Sequence, residues 1–317
     1  MKKLIVLFAS VALVLSFAVT ASAEWNFYGS ARMATFWADN EFSGEDNMET
    51  WAQQGNSRIG ASVKKDAIGG SFEAGTTWNI RKLYGTWNFG PGTLLVGQTY
   101  GPVNLFISNQ VYGGDADLLN FGGGIYGGRT QMLQVSFGAL DIALINPTGG
   151  TDYNSPKFEG SYGFKTDMFS LTVVGGYQTY ETPDIDSYAL AAKLGLSLGP
   201  AKIQASAGIA QNAGSYGLWL SEAPTGAGGD VDSIIAGATI GFKATDMLSF
   251  EGGLGWYTHD EAAGDNDGVS YYVQAVISPA PGVYIIPEIG VQDDMDDAAG
   301  STGVENTYFG AKWQINF

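Results

Sequence analysis

Cysteine is absent from the 317 residues, and histidine occurs once. Without a thiol there is no disulfide framework, no thiol catalysis and no cysteine zinc site. Basic residues are scarce: 15 Lys and Arg stand against 32 Asp and Glu, a formal charge of −17. That balance excludes nucleic-acid binding, because phosphates require a basic footprint. Charged residues of either sign make up only 15% of the chain, low for a soluble protein of this size. Long apolar runs are missing too, save one from Leu4 to Val19. A multi-helix membrane protein is therefore excluded.

What is present is glycine (46 residues) and aromatics (13%), at a mean hydropathy of +0.01. The single apolar run follows Lys2 and Lys3 and precedes Ala21-Ser22-Ala23. A charged start, an apolar stretch and small residues at this spacing read as a secretory signal over 1–23, cleaved before Glu24. Residues 24–317 are then one domain. The signal carries two lysines and no acids, so the exported chain is more acidic still.

Beyond Glu24 no segment has the period of a helix. Short segments instead alternate apolar with polar or small residues, the period of a strand with two unlike faces. In the last one Phe309, Ala311, Trp313, Ile315 and Phe317 oppose Gly310, Lys312, Gln314 and Asn316. Ile203, Ala205, Ala207 and Ile209 oppose Lys202, Gln204 and Ser206 in the same way. The pattern predicts strands at 25–38, 53–64, 68–78, 80–90, 93–100, 129–137, 140–146, 157–165, 170–181, 187–198, 201–211, 233–243, 247–259, 269–278, 282–292 and 304–317, sixteen in all. Short turns such as Gly90–Gly92 and Gly199–Ala201 alternate with longer polar connections at 39–52, 101–128, 147–156, 212–232, 260–268 and 293–303. An even strand count with short turns on one side and long loops on the other fits a transmembrane barrel.

A soluble sandwich would have to bury the Trp, Phe and Leu face of all sixteen strands, too much for two ordinary sheets. Facing lipid resolves this, provided the sheet closes and leaves no backbone group unpaired in hydrocarbon. Trp25, Phe27, Trp37, Trp87, Phe89, Trp256, Tyr271 and Trp313 near strand ends suit interfacial girdles. A β-propeller would need a blade repeat, which is not found.

These features resemble the Gram-negative outer-membrane porins of the sixteen-stranded general-diffusion class. The terminal Phe317, with Phe309, Trp313 and Ile315 on alternate positions, resembles the signal read by the barrel insertion machinery. Asn56-Ser57-Arg58-Ile59-Gly60 resembles the family's second strand, and Tyr84 to Pro102 its fourth and fifth. Segment 101–128 stands in the place of the third loop, which in the family folds into the pore. The resemblance implies an outer-membrane, all-β, antiparallel barrel passing small hydrophilic solutes, set among lipids and lipopolysaccharide. It also implies a homotrimer, although the second outer loop is too short to be the family's latch.

A lumen closed by sixteen strands is too wide for side chains to fill, so a loop must narrow it. Segment 101–128 lacks alternation, is rich in glycine, and carries Asp115 and Asp117. By parity Arg32, Arg58 and Lys82 point inward from the first, second and fourth strands, while Arg81 and Arg129 fall on the lipid side, so that either the register shifts or they sit at an interface. The expectation is an eyelet with Asp115 and Asp117 facing Arg32, Arg58 and Lys82; the alternative is an ordinary surface loop over a wet wall. Acidic outer loops, among them Asp293, Asp294, Asp296 and Asp297, are expected to favour cations modestly at the mouth. The same carboxylates are weak candidates for Ca²⁺ or Mg²⁺ bridged to lipopolysaccharide, or are simply solvated; no other cofactor is implied. Enzymatic activity is not expected: His259 lies beside Asp260, but no Gly-x-Ser-x-Gly motif occurs near it to supply a serine. A solute-specific porin, with Tyr84, Tyr257, Tyr272 and Tyr284 as a sugar slide, is the alternative channel. An adhesin or structural barrel would need larger loops or a plug domain.

Overall fold

Alternating sequence becomes a ring of hairpins in the computed structural model, which describes residues 23–40, 45–115, 117–147, 153, 155–181, 184–262, 264–295 and 303–317. Residues 1–22 of the expected signal lie outside the described residues. The strands begin with β1 (Glu24–Asn40), β2 (Glu45–Gln53), β3 (Arg58–Lys65), β4 (Ile68–Gly75), β5 (Ile80–Asn88) and β6 (Thr93–Tyr100). Within segment 101–128 lie β7 (Asn104–Phe106), a single turn α1 (Tyr112–Asp115), a 3₁₀ turn (Asp117–Phe121) and β8 (Gly124–Tyr126). Then come β9 (Arg129–Phe137), β10 (Leu140–Ile145), β11 (Lys157–Lys165), β12 (Phe169–Glu181), β13 (Asp184–Leu198) and β14 (Ala201–Gln211). A second single turn, α2 (Ala213–Tyr216), precedes β15 (Asp232–Lys243), β16 (Leu248–Glu261), β17 (Gly264–Ala280), β18 (Val283–Asp294) and β19 (Val304–Asn316).

Consecutive wall strands pair antiparallel, and β1 pairs with β19 on one side and with β2 and β3 on the other. The sheet is therefore closed. Strands β2 and β3 are two halves of one stave, interrupted at 54–57, so the wall is a closed 16-strand barrel. Closure leaves no strand edge to aggregate or to sit unpaired in lipid. Among the described residues no helix is long and apolar enough to cross a membrane.

Neighbouring staves place their large apolar side chains side by side on the outer face. Leu190 is opposite Ile209 and Ile209 opposite Ile234, and Ile289 is opposite Phe309, which meets Trp37. All six are exposed, a continuous apolar surface that only lipid or another barrel accommodates. Trp25, Phe27, Trp37, Trp87, Tyr271 and Trp313 are exposed as the girdle reading requires.

Two expected loops are largely strand. Segment 39–52 is occupied mostly by β1 and β2, and in 260–268 strands β16 and β17 continue their ladder to Glu261 opposite Gly264. Their acidic side chains hid this, because strand tops in a barrel stand in water and need no apolar face. Wall height is uneven: β4 and β6 have 8 residues each, against 15 in β13 and 17 in β17.

Candidate functional site

Segment 101–128 folds inward and runs around the wall, held at each step by a side chain from a different strand. Glu159 of β11 accepts the Val103 N–H at 2.9 Å. Lys193 of β13 donates to the Phe106 carbonyl, and Gln204 and Thr239 donate to that of Ile107. Glu251 of β16 accepts both the backbone and side-chain N–H of Asn109 at 2.6 Å. Glu288 of β18 accepts the N–H groups of Val111 and Tyr112, at 2.8 and 3.0 Å. The Tyr112 ring stacks on Tyr308 with centroids 3.7 Å apart. Three inward glutamates thus face loop N–H groups rather than open water. A buried strand-free backbone needs such partners.

At the tip, Gly113 and Gly114 have φ of 62° and 96°, the left-handed region that glycine enters without steric cost. The turn they make presents Asp115 to Arg32 of β1 in an ion pair, and to the Lys312 ammonium of β19 at 2.9 Å. The loop then returns along β15 and β16. A Cβ at Gly237 would lie 2.7 Å from Cα of Gly123, and one at Gly255 would lie 2.8 Å from its nitrogen. These two paired wall glycines leave room for the loop backbone.

The expected bases divide. Arg32 meets Asp115, whereas Arg58 and Lys82 lie 3.6 and 3.5 Å from Glu73 of β4. The side chain of Asp117 lies outside the described residues. Arg81, assigned to the lipid side by parity, points inward and donates through Nε to Glu73 at 2.8 Å. The cause is a register shift between Glu73 and Ala74, which pair with Lys82 and Ile80 and leave Arg81 as the extra residue of a bulge. Alternation alone cannot show a bulge. Arg129, also placed on the lipid side, donates to the Tyr100 hydroxyl at 2.8 Å and stacks over its ring. The Lys82 ammonium lies 5.6 Å from the centroid of the same ring. Glu73 is thus surrounded by three cations. Asp115 does not stand as a free acid opposite the bases.

A second connection also folds inward. Tyr216 of α2 donates to Glu159 at 3.0 Å, and the Lys157 ammonium donates to its carbonyl. Burial pushes the Tyr216 hydroxyl up, so it remains a donor. Leu218 and Leu220 join Val103, Leu105, Phe121 and Ile125 in one apolar cluster against the β12–β16 wall. Nothing in the sequence pattern announced this second inward loop.

His259 does have a serine beside it: Ser233, its cross-strand neighbour, lies 2.8 Å from Nδ1. The other ring nitrogen meets the Ser221 carbonyl at 3.0 Å rather than a carboxylate. Both side chains are buried, so the pair ties the second loop to the wall and lacks the acid of a triad. Of the four inward tyrosines, Tyr257 donates to Asp294 and Tyr272 donates to Glu251, and both of these are buried. Asp294 is therefore turned down to Tyr257. Asp296 and Asp297 lie outside the described residues, among which no group of three or more acidic or histidine side chains is placed to hold a metal ion.

No protein-family model and no curated protein matches the sequence. Solved structures do. The outer membrane channel DcaP of Acinetobacter baumannii aligns over 93% of this chain and 97% of its own, with 15% identity and a TM-score of 0.70. An anion-selective porin from Comamonas acidovorans aligns over 93% and 100%, with 11% identity and a TM-score of 0.65. OmpT, an outer membrane protein of Vibrio cholerae in its trimer form, aligns over 92% and 99%, with 14% identity and a TM-score of 0.63. At such identities the likeness is one of fold, and the chain has the fold of the sixteen-stranded outer-membrane porins.

Proposed function

We propose that this chain is an outer-membrane porin, a water-filled passage for passive diffusion of small hydrophilic solutes. The observation that carries the reading is a closed, outwardly apolar barrel whose interior holds ion pairs and a loop pinned across it. Such loops and charges set which solutes pass. Export by a signal over 1–23, insertion through the terminal Phe317, and divalent ions linking mouth carboxylates to lipopolysaccharide belong to the same proposal. So does the absence of catalysis.

The charges within the passage argue against the cation preference expected from the acidic loops. Outer-loop fields are screened within about 8–10 Å. In the narrow section Asp115 and Glu73 face Arg32, Arg58, Arg81, Lys82 and Lys312, so bases outnumber acids and small anions are favoured. Reconstitution in planar bilayers tests the reading: a stable ohmic conductance with a zero-current potential of anionic sign is expected, and no conductance would overturn it.

The short wall supports assembly into a homotrimer. A barrel strand needs about 9–11 tilted residues to span hydrocarbon, and β4 and β6 have 8. Trp78, at the β4–β5 turn, is 76% exposed. Neighbouring copies would cover this low face.

A further inference from the structure

Four aromatic rings from three parts of the chain form one chain of contacts beside the basic residues. Tyr100, at the end of β6, meets Phe106 and Tyr126 at centroid distances of 5.8 and 6.1 Å. Phe106 and Tyr126 lie 5.7 Å apart on the β7–β8 hairpin, and Trp219 of the second inward loop lies 5.5 Å from Tyr126. Phe106 alternates with Leu105, which is buried in the cluster against the far wall. Phe106 and Trp219 remain 39% and 42% exposed. Both belong to loops folded into the barrel, where exposed rings have no lipid to face and hydration of that surface is unfavourable.

Two cations flank the rings. The Arg129 guanidinium lies 5.1 Å from the Tyr100 centroid and the Lys82 ammonium 5.6 Å. Lys82 shares Glu73 with Arg58 and Arg81. Arg129 has no carboxylate within ion-pair distance among the described residues. Aromatic faces favour a flat ring, and unneutralised bases favour a carboxylate while repelling an amine.

We propose that Tyr100, Phe106, Tyr126 and Trp219, with Arg129 and Lys82, form a binding site for aromatic carboxylates at the approach to the constriction. This deepens the channel reading by naming a solute class, and the ring cluster is independent of the tyrosines suggested by sequence. Rings on the loops hold the flat part of the solute, and Arg129 and Lys82 hold its carboxylate.

Calorimetric titration of the purified full chain in detergent tests the site without requiring conductance. The probes are benzoate, cyclohexanecarboxylate, glucuronate and benzylamine. Benzoate should bind about threefold or more tightly than cyclohexanecarboxylate, as expected for one ring-stacking contact, and benzylamine should not compete. Phe106→Ala and Trp219→Ala should each weaken benzoate about three- to tenfold, Arg129→Gln should weaken it too, and Trp51→Ala on the outer surface should not. Equal binding of benzoate and cyclohexanecarboxylate, stronger binding of glucuronate, or unaltered affinity in folded Phe106 and Trp219 variants would overturn the proposal. Conductance without benzoate preference removes this site and leaves the channel; benzoate binding without conductance does the reverse.

Discussion

Single side chains in this barrel act through the partners they neutralise. Asp115 joins two bases, so Asp115→Asn frees both Arg32 and Lys312. Its zero-current potential in a salt gradient should move further toward that of an anion-permeable channel; no movement would separate Asp115 from selectivity. Glu159 lies beside Lys157, which is fully buried. Glu159→Ala leaves that ammonium without its carboxylate and should cost about 3–5 kcal/mol, read as a lower unfolding temperature in detergent. At this scale the sequence was partly legible. Arg32, Arg58 and Lys82 follow the alternation, but Arg81 does not, because a bulge is set by the partner strand and leaves no mark on parity. Ser233 was invisible beside His259 for a related reason: antiparallel register brings together residues 26 positions apart.

Elements obey the two-residue period wherever lipid imposes it, which is why the sixteen staves were readable from Trp, Phe and Leu spacing. The upper ends of β2, β16 and β17 were not, since acids replace apolar residues there. The third loop announced itself through glycine and lost alternation. Its path did not, because the wall residues that hold it, Glu159, Glu251 and Glu288, look like any inward acids until the register is known. Gly237 and Gly255 matter at this level. Gly237→Val should lift the returning loop from β15, lowering thermal stability and altering unitary conductance. Gly241→Val, with no atom closer than 3.8 Å to its Cβ position, should change neither.

For the whole molecule, the uneven wall calls for company. Light scattering of the detergent-solubilised protein should give the mass of three chains, and Trp78→Glu on the low face should shift it toward one. A wild-type monomer would mean that the low face meets thinned lipid instead. Beneath all of this lies the division of the barrel into a lipid-facing outside and a wet inside. The chain has no cysteine, so single cysteines report cleanly on that division. Strand β11 offers adjacent residues of both kinds: Tyr162 and Phe164 are exposed on the outer face, Ser161 and Gly163 alternate with them. In reconstituted vesicles a charged, membrane-impermeant thiol reagent should modify Ser161→Cys and Gly163→Cys rapidly, and Tyr162→Cys and Phe164→Cys hardly at all. Equal labelling of all four, or the opposite order, would contradict the account.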